Sequence, residues 1–170
     1  IDGVEFWGRL SFLKGGLRYA DAITTVSPGY AREIQNEPLG FGLHGLLAAR
    51  TDALHGITNG IDVGEWDPSS DRLIAQRYDA DRLTAKAFNK EALQERLGLP
   101  PEPRVPLLGM VSRLTHQKGI DLAIEVAREI VSLPAQLVVL GSGERELETA
   151  LAAVAKANAQ RIAVRFGYDE

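Results

Sequence analysis

The sequence has 170 residues, 45% hydrophobic and 25% charged, a balance that excludes a mostly disordered chain. Nineteen Lys and Arg against 23 Asp and Glu give a net charge of −4, so no strong electrostatic pull toward nucleic acid or an anionic membrane follows. Cysteine is absent, which excludes disulfides, thiolate metal sites and a cysteine nucleophile, and no apolar run approaches the roughly 20 residues of a membrane span.

In chain order, Asp21 to Val26 reads as a strand. Ser27 has the character of a helix N-cap, with Pro28 at the first helical position and a helix running through Tyr30 and Ile34. Leu43 to Arg50 reads as a short helix, Gly56 to Thr58 as a short strand, and Asn59-Gly60 as a turn. Asp62 to Asp71, with Trp66 and Pro68, reads as a connection. The expected domain organisation is therefore residues 1–60, a linker over 61–68, and a second domain over 69–170. Leu83 to Leu97 is an expected helix, closed by Gly98 and then Pro100-Pro101.

The second half is more regular. Val105 to Ser112 reads as an apolar strand, with Pro106 tolerable only near its start. A polar turn covers Arg113 to Gly119. Ile120 to Val131 follows as a helix whose apolar stripe is Ile120, Ala123, Ile124, Ala127 and Val131. Gln136 to Leu140 is a buried strand, Gly141-Ser142-Gly143 a turn, and Glu144 to Ala157 a helix with Leu147, Leu151 and Val154 on one face. Arg161 to Phe166 is a third strand, leading to Gly167-Tyr-Asp-Glu170. Alternating strands and helices imply an α/β domain with a parallel sheet and right-handed crossovers. Ligands of such sheets bind beyond the carboxyl ends of the strands. The turns after Ser112, Leu140 and Phe166 all lie at that edge.

Several motifs have two readings. Gly141-Ser142-Gly143 is either a turn whose N–H groups face an anion or a plain tight turn; Glu146 replaces the third glycine of the dinucleotide fingerprint. Asp79-Ala80-Asp81 could hold a metal with a nucleotide diphosphate, or Asp81 could cap the helix that follows. His44, His55 and His116 are scattered, with no second ligand at metal spacing. Arg113 and Lys118 bracket one polar turn. They are either a diphosphate clamp, in which Arg grips two oxygens and Lys adds a point charge, or incidental charges on a solvated loop.

Val111-Ser-Arg-Leu-Thr-His-Gln-Lys-Gly-Ile-Asp121 resembles the signature that opens the nucleotide-sugar domain of bacterial glycogen synthases and plant starch synthases. Tyr19 to Glu33, Gly45-Leu46-Leu47, Ile57-Thr-Asn-Gly-Ile-Asp62, Trp66-Asp-Pro68 and Lys86-Ala-Phe-Asn-Lys90 resemble further stretches of that family, in the right order. The resemblance implies a GT-B fold, built of two Rossmann-like domains across a cleft. Residues 1–60 would be the end of the acceptor-side domain and 69–170 the start of the nucleotide-sugar domain. The implied activity is transfer of glucose from ADP-glucose to the non-reducing end of an α-1,4-glucan, with retention and with no catalytic metal or other cofactor.

By the same resemblance, Arg113 and Lys118 are the expected catalytic residues at the donor diphosphate, Asn59 lies near the donor glucose, and Gly141 and Tyr168 belong to substrate binding, Tyr168 against the adenine. The expected partners are ADP-glucose and the glucan, without nucleic acid or membrane. The expected location is the cytoplasm, or the plastid in a plant. Lys14-Gly-Gly-Leu17 looks like the family's Lys-x-Gly-Gly-Leu loop but stands in the wrong context, so the chain reads as an internal slice. Two alternatives stay open: another retaining GT-B transferase using UDP-glucose, and a non-catalytic module that binds a nucleotide sugar.

Overall fold

A computed structural model describes residues 3–168, apart from the side chain of Arg128; Asp169 and Glu170 of the closing motif lie outside the described residues. The chain divides into two units, Ile1–Val63 and Gly64–Glu170.

In the first unit, residues 3–20, for which the sequence pattern sets no expectation, form two short strands and a helix. Strands β1 (Glu5–Phe6) and β2 (Arg9–Leu10) pair antiparallel around Trp7-Gly8, both with positive φ. Helix α1 (Phe12–Tyr19) begins at Ser11, whose hydroxyl accepts the Lys14 N–H. The Lys14-Gly-Gly-Leu17 look-alike is thus helix interior, not a loop. Strand β3 (Ile23–Thr25) leads to Ser27, which caps α2 (Pro28–Glu33) by accepting from Tyr30 N–H, with Pro28 at the start. Helix α3 (His44–Ala49) follows.

The next strand, β4, is Leu54–Gly56 rather than Gly56 to Thr58. It pairs parallel with β3, Ile23 opposite Leu54, because those two side chains bury together with Ala31. Ile57 only donates its N–H to Thr25 and is exposed. Arg50 fastens the unit: its guanidinium donates to the carbonyls of Leu17, Arg18 and Ala20 and so satisfies the open end of α1.

In the second unit, helix α4 begins at Lys86 and runs to Arg96, three residues later than expected. Residues Ala80–Ala85 form a tighter 3-10 segment with a kink at Arg82. Asp79, not Asp81, is the cap, accepting the N–H groups of Asp81 and Arg82. Lys90 on α4 donates to the carbonyls of Glu102, Pro103 and Val105, tying the proline-rich connection to the helix.

Strand β5 (Leu107–Val111), helix α5 (Ile120–Ser132), strand β6 (Gln136–Gly141), helix α6 (Arg145–Ala157) and strand β7 (Ile162–Phe166) then alternate. The sheet order is β5-β6-β7, all parallel, with Val111 opposite Leu140 and Gly141 opposite Phe166. The central strand is the most buried, as its unbroken Leu-Val run requires. One sheet face offers Leu137, Val139 and Ile162 to Ile120 and Ala127 of α5 and to Leu147 and Leu151 of α6. The other face buries Val138 and Ala163 against Leu99. Gln136, the polar start of β6, is buried in the amide network this demands: Gln94 donates to it at 2.5 Å and it donates to the Pro100 carbonyl at 2.9 Å.

Gly141 and Gly143 have no room for a side chain. A Cβ at Gly141 would overlap the Ser112 carbonyl oxygen, and one at Gly143 that of Leu114. Both obstacles are backbone. Gly141→Ala is therefore expected to cost about 3 kcal/mol by forcing the turn away from its neighbour. Chemical unfolding should show a lower midpoint; an unchanged midpoint would mean that this close approach is not maintained in solution.

Candidate functional site

Strand β5 ends at Val111, but its ladder continues. Ser112 donates to the Leu140 carbonyl at 3.2 Å, Leu114 to Ser142 at 3.0 Å, and Glu144 back to Leu114 at 2.8 Å. Leu114 and Gly143 form a parallel bridge. The extended alternation turns Leu114 fully into the core and Arg113, its predecessor, out to solvent. A buried leucine thus anchors an exposed arginine.

After Thr115 the chain makes a 3-10 turn, His116–Lys118, and leaves it through Gly119 at φ 69° into α5. Glycine is needed there because the left-handed conformation disfavours any Cβ. The Arg113 Nη2 lies 3.4 Å from Gln117 Oε1. Lys118 is exposed. Among the described residues, no carboxylate pairs with Arg113 or Lys118. Two cations therefore stand on one turn at the carboxyl edge of the sheet, available to an anion.

Between this turn and the neighbouring strand ends lies a cleft of about 290 Å³. Ser112, Arg113, Gly141, Ser142, Gly167 and Tyr168 line it. Tyr168 is 87% exposed, its ring free to cover a planar ligand. The structure thus brings Arg113, Gly141 and Tyr168 to one cleft. Lys118 is at the far end of the same turn and does not line it. Asn59 belongs to the first unit, exposed in an irregular segment after β4; the turn expected at Asn59-Gly60 is not formed there.

Two carboxylates support the site, and neither was a candidate on sequence grounds. Glu148 Oε1 accepts the Gly143 N–H at 2.8 Å, so that donor of the glycine turn is already engaged. Glu144 holds His116: Oε2 lies 3.0 Å from the imidazole Nδ1, and Oε1 accepts the His116 backbone N–H at 3.4 Å. The partners are 28 residues apart, and only the sheet register brings them together.

The remaining motifs are occupied otherwise. Asp79 is held below the usual carboxylate range, first by hydrogen bonding from the Arg82 side chain and further by that residue's charge and by backbone N–H groups. His44 lies 3.5 Å from Glu37, and His55 is exposed on β4. Among the described residues, no group of three or more His, Asp or Glu is placed to hold a metal ion, and no helix is long and apolar enough to cross a membrane.

Comparison with known proteins adds the following. The family model for the starch synthase catalytic domain matches residues 1–49. Glycogen synthase of Nitrosomonas eutropha is 58% identical over 170 residues, covering 100% of this chain and 34% of that protein. Glycogen synthase of Nitrosospira multiformis is 52% identical over 169 residues, covering 99% of this chain and 34% of the relative. Among solved structures, the catalytic domain of starch synthase IV from Arabidopsis thaliana, bound to ADP and acarbose, matches with a TM-score of 0.89 and 31% identity, over 100% of this chain and 35% of that one. The chain spans about a third of the length of the curated relatives it matches.

Proposed function

Because this chain belongs to the glycogen and starch synthase family and has the α/β architecture of its GT-B catalytic domain, we propose that it is part of an enzyme that transfers glucose from ADP-glucose to the non-reducing end of an α-1,4-glucan. The observation that carries the reading is the outward display of Arg113 from the buried Leu114, into a cleft that also holds Gly141 and Tyr168. The ADP in the related plant structure supports a nucleotide ligand, and its acarbose a glucan one.

In this reading, residues 1–60 complete the acceptor-side domain, 61–68 cross between domains, and 69–170 begin the nucleotide-sugar domain. Tyr168 stacks on adenine. Gly141 lets the turn close against the Ser112 carbonyl and so sets its backbone at the wall of the cleft beside the nucleotide. Arg113 and Lys118 bind the diphosphate, and Asn59 serves the donor glucose. In the reaction, the bond between the anomeric carbon and the β-phosphate oxygen breaks and ADP leaves with the electron pair. The glucan 4-hydroxyl forms the new bond on the same face and gives its proton to the departing phosphate oxygen. Arg113 and Lys118 meet the charge that grows on the departing phosphate. The chemistry requires no metal, because these two cations do the neutralising, and the compartment proposed is the cytoplasm or, in a plant, the plastid.

The test is glucose incorporation into a glucan primer by an enzyme of the relatives' full length carrying this segment, with labelled ADP-glucose and UDP-glucose run side by side. Incorporation chiefly from ADP-glucose is expected. Preference for UDP-glucose, or no transfer from either donor, would overturn the reading.

A further inference from the structure

Arg113 and Lys118 are long, exposed side chains on a turn, and such side chains are useful to a transition state only if the turn holds one register. Three observations point to what holds it. The first half of the turn is fixed by backbone, through Leu114 bonded to Ser142 and Glu144. Among the described residues, the second half, His116–Lys118, makes no such ladder contact. Its link to the neighbouring loop is the Glu144 carboxylate, one oxygen on the His116 backbone N–H and the other at the imidazole Nδ1. Finally, Gln117 in the same turn reaches Arg113.

Glu144 and His116 are engaged with each other and, like Lys118, do not line the cleft. Both side chains are about half exposed, at 47% and 60%. A pair so open to water adds little to overall stability. Its effect is therefore local.

We propose that Glu144 is a positioning residue for the diphosphate turn: through His116 it fixes the 3-10 turn His116–Lys118, and so the placement of Lys118 directly and of Arg113 by way of Gln117. The proposal rests on the diphosphate reading given above. It assigns Glu144 no contact with substrate.

The test is steady-state kinetics on the full-length enzyme with Glu144→Ala, His116→Ala, the double variant and Glu144→Gln, with Arg113→Ala as reference. Glu144→Ala and His116→Ala should each lower kcat about tenfold, in line with the sensitivity of reaction to small misplacements, while the KM for glucan and the Tm stay unchanged. The double variant should lose no more than Glu144→Ala alone, because that change already removes both contacts, the imidazole one that His116→Ala also breaks and the backbone one. Glu144→Gln should recover most of the loss, since its amide oxygen still accepts from His116. If Glu144→Ala lowers the Tm, His116→Ala, which leaves the carboxylate on the His116 backbone N–H, carries the comparison. Full kcat in either alanine variant beside a crippled Arg113→Ala would overturn the positioning role alone. Losses that multiply in the double variant would overturn it as well. Full activity of Arg113→Ala would bring down the diphosphate reading, and this proposal with it.

Discussion

Arg113→Ala and Lys118→Ala, made separately in an enzyme of the relatives' full length, are each expected to lower turnover about a hundredfold while leaving folding intact. Both side chains are exposed and take no part in the core, so truncation leaves no cavity and no unpaired buried group. On the proposed reading, what is lost is charge at the leaving diphosphate. In the bound donor that charge is shared over several oxygens. In the transition state, more of it gathers on the oxygen whose bond to carbon is breaking. A cation at that place therefore helps the transition state more than the bound substrate, and its loss falls on kcat rather than on KM alone. One such contact is worth about 3 kcal/mol, or roughly a hundredfold. Arg113→Lys should restore only part of the rate, because the ammonium keeps the charge but not the paired donors of the guanidinium. Steady-state rates beside thermal unfolding decide the matter: unchanged turnover in well-folded variants would make both residues solvated loop charges.

The second expected result is complete absence of transfer from the 170 residues alone. Purified as this chain, the protein should incorporate no glucose into a primer from ADP-glucose. The relatives are about three times as long, and transfer in a two-domain cleft requires both walls to close on donor and acceptor. Among the described residues, the sheet of the second unit has three strands, β5 and β7 each hydrogen-bonded on one side only, and the core of the first unit is built around Ile23, Ala31 and Leu54. Cores of this size stabilise a fold only marginally. On the proposed reading, ADP binding at Arg113 and Lys118 is expected to persist weakly where the second unit folds, which calorimetry would detect without turnover. Incorporation above the no-enzyme blank would show that a whole catalytic site lies within these residues.

How far the sequence could be read depended on which force shaped each part. Helices α5 and α6 and strand β6 were legible because burial imposes a period, and Ile120, Ala123, Ala127, Leu147 and Leu151 fall where that period puts them. Helix α1 was not, because Gly15 and Gly16 sit in its interior, each with a helix penalty of about 1 kcal/mol. The start of α4 was misplaced because Asp79 captures two N–H groups and holds the following residues in a tighter turn. Strand β4 was read two residues late because its pairing with β3, not its own pattern, sets its register. At the site, the two cations and the glycine turn were visible as residue types in suggestive order. Glu144 and Glu148 were not, since each works through a partner chosen by tertiary register rather than by spacing along the chain.

The ladder that runs past the ends of β5 and β6 changes when disorder is removed from the site. A free loop of this length would sample many backbone conformations and would have to give them up each time a ligand arrived, at about 1–2 kcal/mol for each residue fixed. Here Ser112, Leu114 and Glu144 are already bonded, and Leu114 is sealed in the core. The backbone from Ser112 to Leu114 loses its entropy once, when the domain folds. On the proposed reading, association then has the side chains of Arg113, Lys118 and Tyr168 to order, together with the His116–Lys118 segment that lies outside this ladder.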